Sequence, residues 1–164
     1  MIRKLAYADL SAVNEIYNQA VQNGFQTADL EEVDASSRLE WYQFHQDEQF
    51  PAYVVEINGK VIGWVSLSPY RKGRAALRFT AEVSYYIHQD FQNKGYGSEL
   101  ISFIIKASKS LKFKTLFAIL LDRNVPSIRL LEKFNFEKWG VLPNVADFNG
   151  IECSHLYYGL RISK

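Results

Sequence analysis

One segment, residues 82–111, constrains the fold more than any other part of the chain. Its pattern predicts an apolar strand from Glu82 to Ile87, a loop Gln92-Asn-Lys-Gly-Tyr-Gly97, and a helix that opens near Ser98. The first amides of a helix have no intrahelical acceptors, and the helix dipole is positive at that end. Glycine there lets the backbone approach a ligand closely. The segment therefore predicts either a site for an anion such as a phosphate, or a simple tight turn between strand and helix.

The residues before this segment predict a strand and two helices. Residues 2–6 suit a short opening strand, and Asp9 is a candidate N-cap for a first helix that ends at Asn23-Gly24. The following stretch, Phe25–Asp34, is polar and aromatic without a clear period, and it predicts a loop of the kind that often carries binding residues. Ser37 with Glu40 matches a capping box, which predicts the start of a second helix.

The remaining elements predict a single sheet. Asn58-Gly59 predicts a two-residue turn between strands at 52–57 and 60–68. The apolar run Thr115–Leu121 is typical of a central strand buried on both faces, although the pattern also allows a buried helix. The order of strands and helices predicts an α/β or α+β fold, with one sheet flanked by helices. The last predicted elements are a helix at 127–134 and strands at 136–141 and 153–162, joined by a loop that contains Asn144, Asn149 and Gly150.

Composition argues against several classes of function. The 164 residues carry a formal net charge of +1, whereas a nucleic-acid-binding surface usually shows a large basic excess. Cys153 is the only cysteine, so no internal disulfide can form and we expect a reducing, cytoplasmic location. His45, His88 and His155 are too scattered for a zinc motif, and no apolar run reaches the length of a membrane span. The length predicts one domain, residues 1–164.

Two motifs in this order resemble those of a known family. Gln92-Asn-Lys-Gly-Tyr-Gly97 looks like the acyl-CoA pyrophosphate signature of the GCN5-related N-acetyltransferases (GNAT), Gln/Arg-x-x-Gly-x-Gly/Ala. The later segment Asn124-Val-Pro-Ser-Ile-Arg-Leu-Leu-Glu-Lys133-Phe-Asn-Phe136 resembles that family's second cofactor segment. The resemblance covers nearly the whole chain. It implies the GNAT fold, an α/β (α+β) arrangement with a mixed central sheet of about six to seven strands flanked by helices.

A third segment narrows the resemblance to a subgroup. The strand Leu77-Arg-Phe-Thr-Ala-Glu-Val-Ser-Tyr-Tyr-Ile-His88 is similar to that of the phosphinothricin and methionine-sulfoximine acetyltransferases, and Ile16-Tyr-Asn-Gln-Ala-Val21 fits their first helix. This implies transfer of acetyl from acetyl-CoA to the α-amino group of a small amino-acid-like substrate, usually by a homodimer. Two other functions stay open: an acyl-CoA-binding protein without catalysis, and a GNAT that acts on a protein or polyamine amine.

The resemblance also implies which residues hold acetyl-CoA. The backbone of residues 85–87 would pair with the pantetheine arm like an added strand, and the loop amides would hold the pyrophosphate. Asn124 has an alternative role as an N-cap before Pro126, and Lys133 has one as a solvated helix residue. The implied cofactor-binding residues are Tyr85, Tyr86, Ile87, Gln92, Asn93, Lys94, Gly95, Tyr96, Gly97, Ser98, Asn124, Ser127 and Lys133.

Glu82 interrupts an otherwise apolar strand and is the predicted general base. An amine must be neutral before it attacks a thioester, and a carboxylate can accept its proton. Burial would raise the pKa of Glu82 toward a useful range. A solvated strand carboxylate, or one paired with Arg78, are the alternatives. The predicted acceptor-binding residues are Arg74, Leu77, Arg78, Glu82 and Ser84, the arginines being suited to a substrate carboxylate.

Two positions depart from the subgroup. Leu131 stands where those enzymes usually have a histidine and many superfamily members a tyrosine, so the general acid is unassigned. Tyr157 or Tyr158 could donate that proton, with a place in the core as the alternative for either, and water could also supply it. Asn135 replaces a usual glycine, and asparagine also tolerates the left-handed conformation.

Overall fold

The computed structural model describes residues 1–163, and within them seven strands form one mixed sheet, as predicted. The sheet order is β1-β2-β3-β4-β5-β7-β6. Every neighbouring pair is antiparallel except β4 and β5, which are parallel. The strands are β1 (Ile2–Lys4), β2 (Ala52–Ile57), β3 (Lys60–Pro69), β4 (Thr80–Ile87), β5 (Thr115–Leu121), β6 (Glu137–Phe148) and β7 (Ile151–Arg161).

Four α-helices cover the two faces of the sheet in the part of the chain that is described. They are α1 (Leu10–Asn23), α2 (Ala35–Phe44), α3 (Tyr96–Ser110) and α4 (Val125–Lys133). The apolar faces of α3 and α4 bury residues such as Leu100 and Leu131 in the larger core cluster, which includes Val83 of β4. The smaller cluster joins α1 and α2 to the other face around Trp64. Helices α1, α3 and α4 therefore bury the apolar stripe that their 3.6-residue period supplies, whereas the one fully buried residue of α2 is Arg38.

The parallel pair at the centre of the sheet is short. Thr80, Ala81 and Glu82 of β4 lie opposite Thr115, Leu116 and Phe117 of β5, and the described pairing stops there. By contrast, β4 stays paired with β3 as far as Ile87. Beyond Glu82 the two parallel strands therefore diverge, and one edge of β4 is left facing an opening inside the sheet.

Several local predictions are confirmed. Asn58 and Gly59 have φ values of 50° and 79° in the tight turn between β2 and β3, as the Asn-Gly signal requires. Asn135 has a φ of 61° just after α4, so it occupies the left-handed position where a glycine is usual. The run at 115–121 is the strand β5, which pairs with β7 along its whole length and with β4 over residues 115–117.

Two predicted boundaries are wrong. The N-cap of α2 is Asp34, whose Oδ1 accepts from the Ser37 amide at 2.7 Å, so the helix begins two residues before the predicted cap at Ser37. The predicted loop between the last two strands is mostly strand, because β6 and β7 continue to a two-residue turn at Asn149-Gly150. Register shifts between Leu142 and Ala146, with Asn144 at a φ of 51°, place the turn-forming residues inside a bulged ladder.

Candidate active site

The opening between β4 and β5 forms a cleft of about 180 Å³. Residues Val83–Ile87 of β4 form one wall, residues Ala118–Leu120 of β5 form the opposite wall, and Asn124 and Ser127 lie at the start of α4. Because β3 satisfies only one edge of β4, backbone groups on the other edge face this cleft without a strand partner. An extended ligand with amide groups could supply those hydrogen bonds, as an added strand does.

The N-terminus of α3 opens onto the same cleft. Gly95 is its N-cap with a φ of 93°, a left-handed conformation that strains any residue with a Cβ. No side chain caps the helix, and the amide of Glu99 is bonded to the Gly95 carbonyl. The amides of Tyr96, Gly97 and Ser98 therefore lie in the first turn, where no intrahelical acceptor exists. This end of α3 has the donors and the positive dipole that suit a pyrophosphate.

The second predicted cofactor segment meets the first one here. Lys133 of α4 donates from Nζ to the Ser98 hydroxyl at 3.1 Å, which brings a cation to the start of α3. A Cβ at Gly97 would lie 3.0 Å from Leu130 Cδ2, so glycine allows the close approach of α3 to α4. Asn124 is the N-cap of α4 and its Oδ1 accepts from the Ser127 amide at 3.4 Å, so the capping alternative is observed.

A tyrosine spans the cleft between β4 and α4. The hydroxyls of Tyr85 and Ser127 lie 2.8 Å apart, and burial raises the pKa of Tyr85 to about 12. Leu131 lies one turn further along α4, lines the same cleft and is 1% exposed. Its side chain has no proton to donate, so the position at which the resemblance implies a histidine or tyrosine is apolar in this chain.

Glu82 lies at the end of the described β4–β5 pairing, where the cleft begins. Alternation along β4 puts its side chain on the same face as Ser84 and Tyr86. Burial raises its pKa above the ordinary glutamate range. Within residues 1–163 it forms no ion pair, because Arg78 instead donates to the Ala75 carbonyl at 3.0 Å and stacks on Phe79. The arrangement leaves a half-buried carboxylate free to accept a proton.

The predicted acceptor-binding residues fall into two groups. Glu82 and Ser84 share one face of β4, and Ser84 also lines the cleft. Arg74, Leu77 and Arg78 are exposed and line a separate surface cavity beside the ends of β3 and β4. The structure therefore does not bring these three into contact with the cleft, and their role in binding stays a prediction.

Sequence reasoning missed several residues that line the cleft, and it also missed the burial of an arginine on α2. Gln26 and Phe91 line the cleft, and the only signal for Gln26 is its place in the loop predicted to carry binding residues. Arg38 of α2 is buried, although nothing in its helical pattern separates it from a surface arginine. Among the described residues no group of three or more His, Cys, Asp or Glu side chains is placed to hold a metal ion. No helix of the described chain is long and apolar enough to cross a membrane.

The comparisons with known proteins agree with this geometry. A model of the acetyltransferase (GNAT) family matches residues 10–136. YwnH of Bacillus subtilis, a provisionally named phosphinothricin acetyltransferase, is 37% identical over 150 residues, which are 91% of each chain. The L-methionine sulfoximine/L-methionine sulfone acetyltransferase of Salmonella typhimurium is 34% identical over 144 residues, covering 88% of this chain and 84% of the relative.

A solved structure adds the ligand. The phosphinothricin acetyltransferase of Sinorhizobium meliloti, a GNAT protein solved in complex with acetyl-CoA, superposes with a TM-score of 0.92 at 25% identity. The match covers 98% of this chain and 87% of the other. The residues present here fit the same cosubstrate, because the helix start lacks a side-chain cap and the open edge of β4 lacks a strand partner within the described residues.

Proposed function

The chain belongs to the acetyltransferase (GNAT) family and is an acetyl-CoA-dependent N-acetyltransferase, and from this premise we propose its acceptor and its base. The acceptor is the primary amine of a small amino-acid-like molecule, of the phosphinothricin or methionine sulfoximine type. Glu82 is the general base, and the amine attacks the thioester directly. The relatives named above support the acceptor class. The unpaired, half-buried Glu82, which directly precedes Val83 of the cleft wall, supports the base.

Acetyl-CoA is proposed to lie along the open edge of β4. The backbone of Tyr85–Ile87 would hold the pantetheine arm, and the first-turn amides of α3 would hold the pyrophosphate. Asn124 and Ser127 would contact the pantetheine region, and Lys133 would add a positive charge near Ser98. The fit rests on the shape of the cleft and the unpaired amides, and the residue roles follow from the two motifs.

The chemistry then needs a neutral amine beside the bound thioester. When bound, acetyl-CoA supplies an activated acyl group. Glu82 accepts a proton from the acceptor ammonium, directly or through a water molecule, and this leaves the lone pair that the attack requires. A pKa raised by burial makes Glu82 a stronger base than a surface glutamate.

The proton for the leaving thiolate is proposed to come from water. Leu131 has no proton to give, and Tyr158 is 3% exposed and donates to Glu132 Oε1 at 3.0 Å. Tyr157 lies opposite Ile119 of β5, on the same sheet face as Glu82 and Phe117, so it is the better placed of the two tyrosines.

The protein is further proposed to act as a cytoplasmic homodimer whose single domain spans residues 1–164. The single cysteine supports a reducing compartment. Support for self-association comes from large apolar side chains that are 43–58% exposed on β6 and β7, namely Trp139, Val141, Leu142, Val145 and Ile151. Light scattering on the purified protein measures its mass directly, and a monomer at micromolar concentration would contradict this assembly.

The experiment for the function measures free thiol released from acetyl-CoA. The panel contains L-phosphinothricin, L-methionine sulfone, common amino acids, spermidine and a peptide with a free N-terminus. We expect turnover on the amino-acid-like acceptors and little on spermidine or peptide. Tight binding of acetyl-CoA with no turnover on any amine would instead support the non-catalytic alternative, which the apolar Leu131 favours.

A further inference from the structure

A second cavity, of about 290 Å³, lies against the face of β4 that carries Glu82, Ser84 and Tyr86. Helices α1 and α2 and strand β3 form its other walls. Ser84 and Tyr86 line both this cavity and the cofactor cleft, so the two spaces share a wall. A molecule in this cavity would therefore sit next to the site proposed for the thioester.

Arg38 places a buried positive charge in this cavity. It is 4% exposed, and its guanidinium carbon lies 4.9 Å from the ring centres of both Tyr17 and Trp41. Its Nε donates to Asn14 Oδ1 at 3.1 Å. Among residues 1–163 no acidic side chain forms an ion pair with it. Buried arginines are normally paired, so a cation held by aromatic rings and one amide oxygen points to an anionic ligand.

The acidic residue in the same cavity is engaged elsewhere. Asp29 lines the cavity but accepts a hydrogen bond from the Tyr17 hydroxyl, which also lies 2.8 Å from the Thr27 hydroxyl. Asp29 adds long-range attraction without contacting the Arg38 guanidinium. The planar guanidinium of Arg38 therefore keeps N–H donors that can bind a carboxylate or a similar oxygen anion.

A second donor beside Arg38 lacks an acceptor. Trp64 is 2% exposed, lines the same cavity, and its ring lies 5.8 Å from the Arg38 guanidinium carbon. Its Nε1 is buried and has no hydrogen-bond partner in the described chain. A buried indole N–H normally finds a partner, and leaving one unsatisfied is costly. Nε1 has almost no accessible surface, so this donor lies behind the cavity wall, and the unpaired group that lines the cavity is the Arg38 guanidinium.

The spacing from Glu82 limits which ligand fits. Two residues along a strand span about 7 Å, so Tyr86 lies about 13 Å from Glu82 and Ser84 lies midway. Trp64 is opposite Tyr86, which places Arg38 toward the far end of this row. An acceptor whose amine lies near Ser84 can reach Arg38 with an anionic group a few atoms away, and Glu82 can take the proton through water.

We propose that Arg38 binds an anionic oxygen group of the acceptor and so selects amino-acid-like amines. This inference rests on the proposed function, because it concerns the acceptor of that reaction. The group is either the α-carboxylate or a side-chain oxyanion such as a phosphinate, since both offer the same oxygen acceptors to a guanidinium. Arg38 is thus a specificity-determining residue, distinct from the exposed Arg74 and Arg78.

The test compares three acceptors on the wild type and on Arg38→Met, which keeps the length and apolar stem but removes the charge. L-phosphinothricin has both anionic groups, L-methionine sulfone has only the α-carboxylate, and the carboxamide of L-methionine sulfone has neither. We expect the KM for L-phosphinothricin to rise about 10- to 100-fold, as loss of a charge-assisted hydrogen bond implies, and the KM for L-methionine sulfone to rise equally when Arg38 binds the α-carboxylate. The KM for acetyl-CoA and the rate on the carboxamide should not change.

The pattern among acceptors identifies the group. A loss on phosphinothricin and sulfone alike assigns Arg38 to the α-carboxylate, and a loss on phosphinothricin alone assigns it to the phosphinate. An equal loss on all three acceptors would overturn the proposal. Arg129→Met, which alters an exposed arginine of α4 outside the cavity, is the matched control and should behave as the wild type.

A second variant and a binding measurement distinguish loss of the Arg38 charge from a folding defect. Arg38→Lys keeps the positive charge, and we expect it to restore part of the acceptor affinity that Arg38→Met loses, with an unchanged KM for acetyl-CoA. The rise in Tm on adding L-phosphinothricin measures binding without turnover. If the wild type transfers no acetyl group but is stabilised by L-phosphinothricin through Arg38, the proposed reaction fails while the site stands. If L-phosphinothricin neither reacts nor stabilises the wild type, the site itself is refuted.

Discussion

The two faces of β4 are built in different ways. Val83, Tyr85 and Ile87 face α3 and α4 beside the cofactor cleft, whereas Glu82, Ser84 and Tyr86 face α1 and α2. On the first side, one wall is a continuous segment in which the strand, the glycine loop and the helix start follow each other, and β5 and the start of α4 form the opposite wall. The second side gathers residues from α1, α2, β3 and β4. A site wall built from consecutive residues can be recognised as a motif in the sequence. A site built from residues that are distant in the sequence cannot.

The two faces of β4 also differ in the groups they present, backbone amides on one face and charged side chains on the other. Backbone amides of the loop and of α3 face the cofactor side, so side-chain changes there act mainly through backbone strain and packing. The acceptor side presents the Glu82 carboxylate and the Arg38 guanidinium, whose loss removes a charge. Variants on the two sides should therefore alter different kinetic parameters.

The largest expected effect is on the acceptor side. Glu82→Gln should lower kcat by about 10²- to 10⁴-fold, because it removes the general base. The affinity for acetyl-CoA should stay within about twofold of the wild type, since Gln keeps the shape of the side chain. Steady-state thiol release and calorimetric titration measure the two quantities. Glu48→Gln, at an exposed loop position, is the control. Unchanged turnover in Glu82→Gln would remove the residue from its role.

The same base predicts the pH dependence of the reaction. Burial raises the pKa of Glu82, and only the deprotonated form accepts a proton. The wild-type kcat/KM should therefore fall as the pH drops through a value above the ordinary glutamate pKa of about 4.3. The residual activity of Glu82→Gln should lack this acidic limb. An identical limb in the variant would assign the titration to another group.

On the cofactor side the sharpest test is Gly95→Ala. Gly95 and Gly150 have the same φ of 93°, so alanine should cost each of them about 1–2 kcal/mol of backbone strain. Only Gly95 lies at the start of α3, so only its substitution should weaken acetyl-CoA binding, by about tenfold. Calorimetric titration of both variants gives the comparison. Equal affinities would mean that the loop conformation does not matter for the cofactor.

A smaller effect is expected from the hydroxyl pair across the cleft. Tyr85→Phe and Ser127→Ala each remove the 2.8 Å hydrogen bond, and each should lower the free energy of unfolding by about 1 kcal/mol. Because both remove the same bond, the double variant should lose little more than either single one. Urea unfolding measures all three. Additive losses would show that the two hydroxyls act independently.

The smallest expected effect is the contribution of Glu82 to the free energy of unfolding. Folding raises the pKa of Glu82, so the folded protein holds that proton more tightly than the unfolded chain. This contribution is complete below the unfolded pKa and is lost as the pH rises through the folded pKa. Glu82→Gln should therefore be more stable than the wild type at pH 7, and the difference should vanish near pH 3.5. A lower stability of the variant at pH 7 would show that the carboxylate has a favourable partner.

Sequence reasoning recovered the local features and missed the assembled ones. The helix start after Gly95 and the partial burial of Glu82 each depend on neighbours within a few positions, so periodicity and turn chemistry suffice to predict them. The role of Glu82 as a base stays a prediction. The prediction of a long loop between β6 and β7 was wrong. Asn144 is a turn-forming residue, but here it lies in a bulge that is stabilised by pairing between the two strands. Arg38 was missed because its burial depends on aromatic residues contributed by three separate elements.

The most direct test of the account is a crystal structure of the protein with acetyl-CoA bound. We expect the pantetheine arm to pair with the backbone of Tyr85–Ile87, and the pyrophosphate to accept hydrogen bonds from the amides of Tyr96, Gly97 and Ser98. The thioester should then lie beside Ser84, on the way to Glu82. A cofactor bound outside the cleft between β4 and β5, or with its pyrophosphate away from the start of α3, would contradict it.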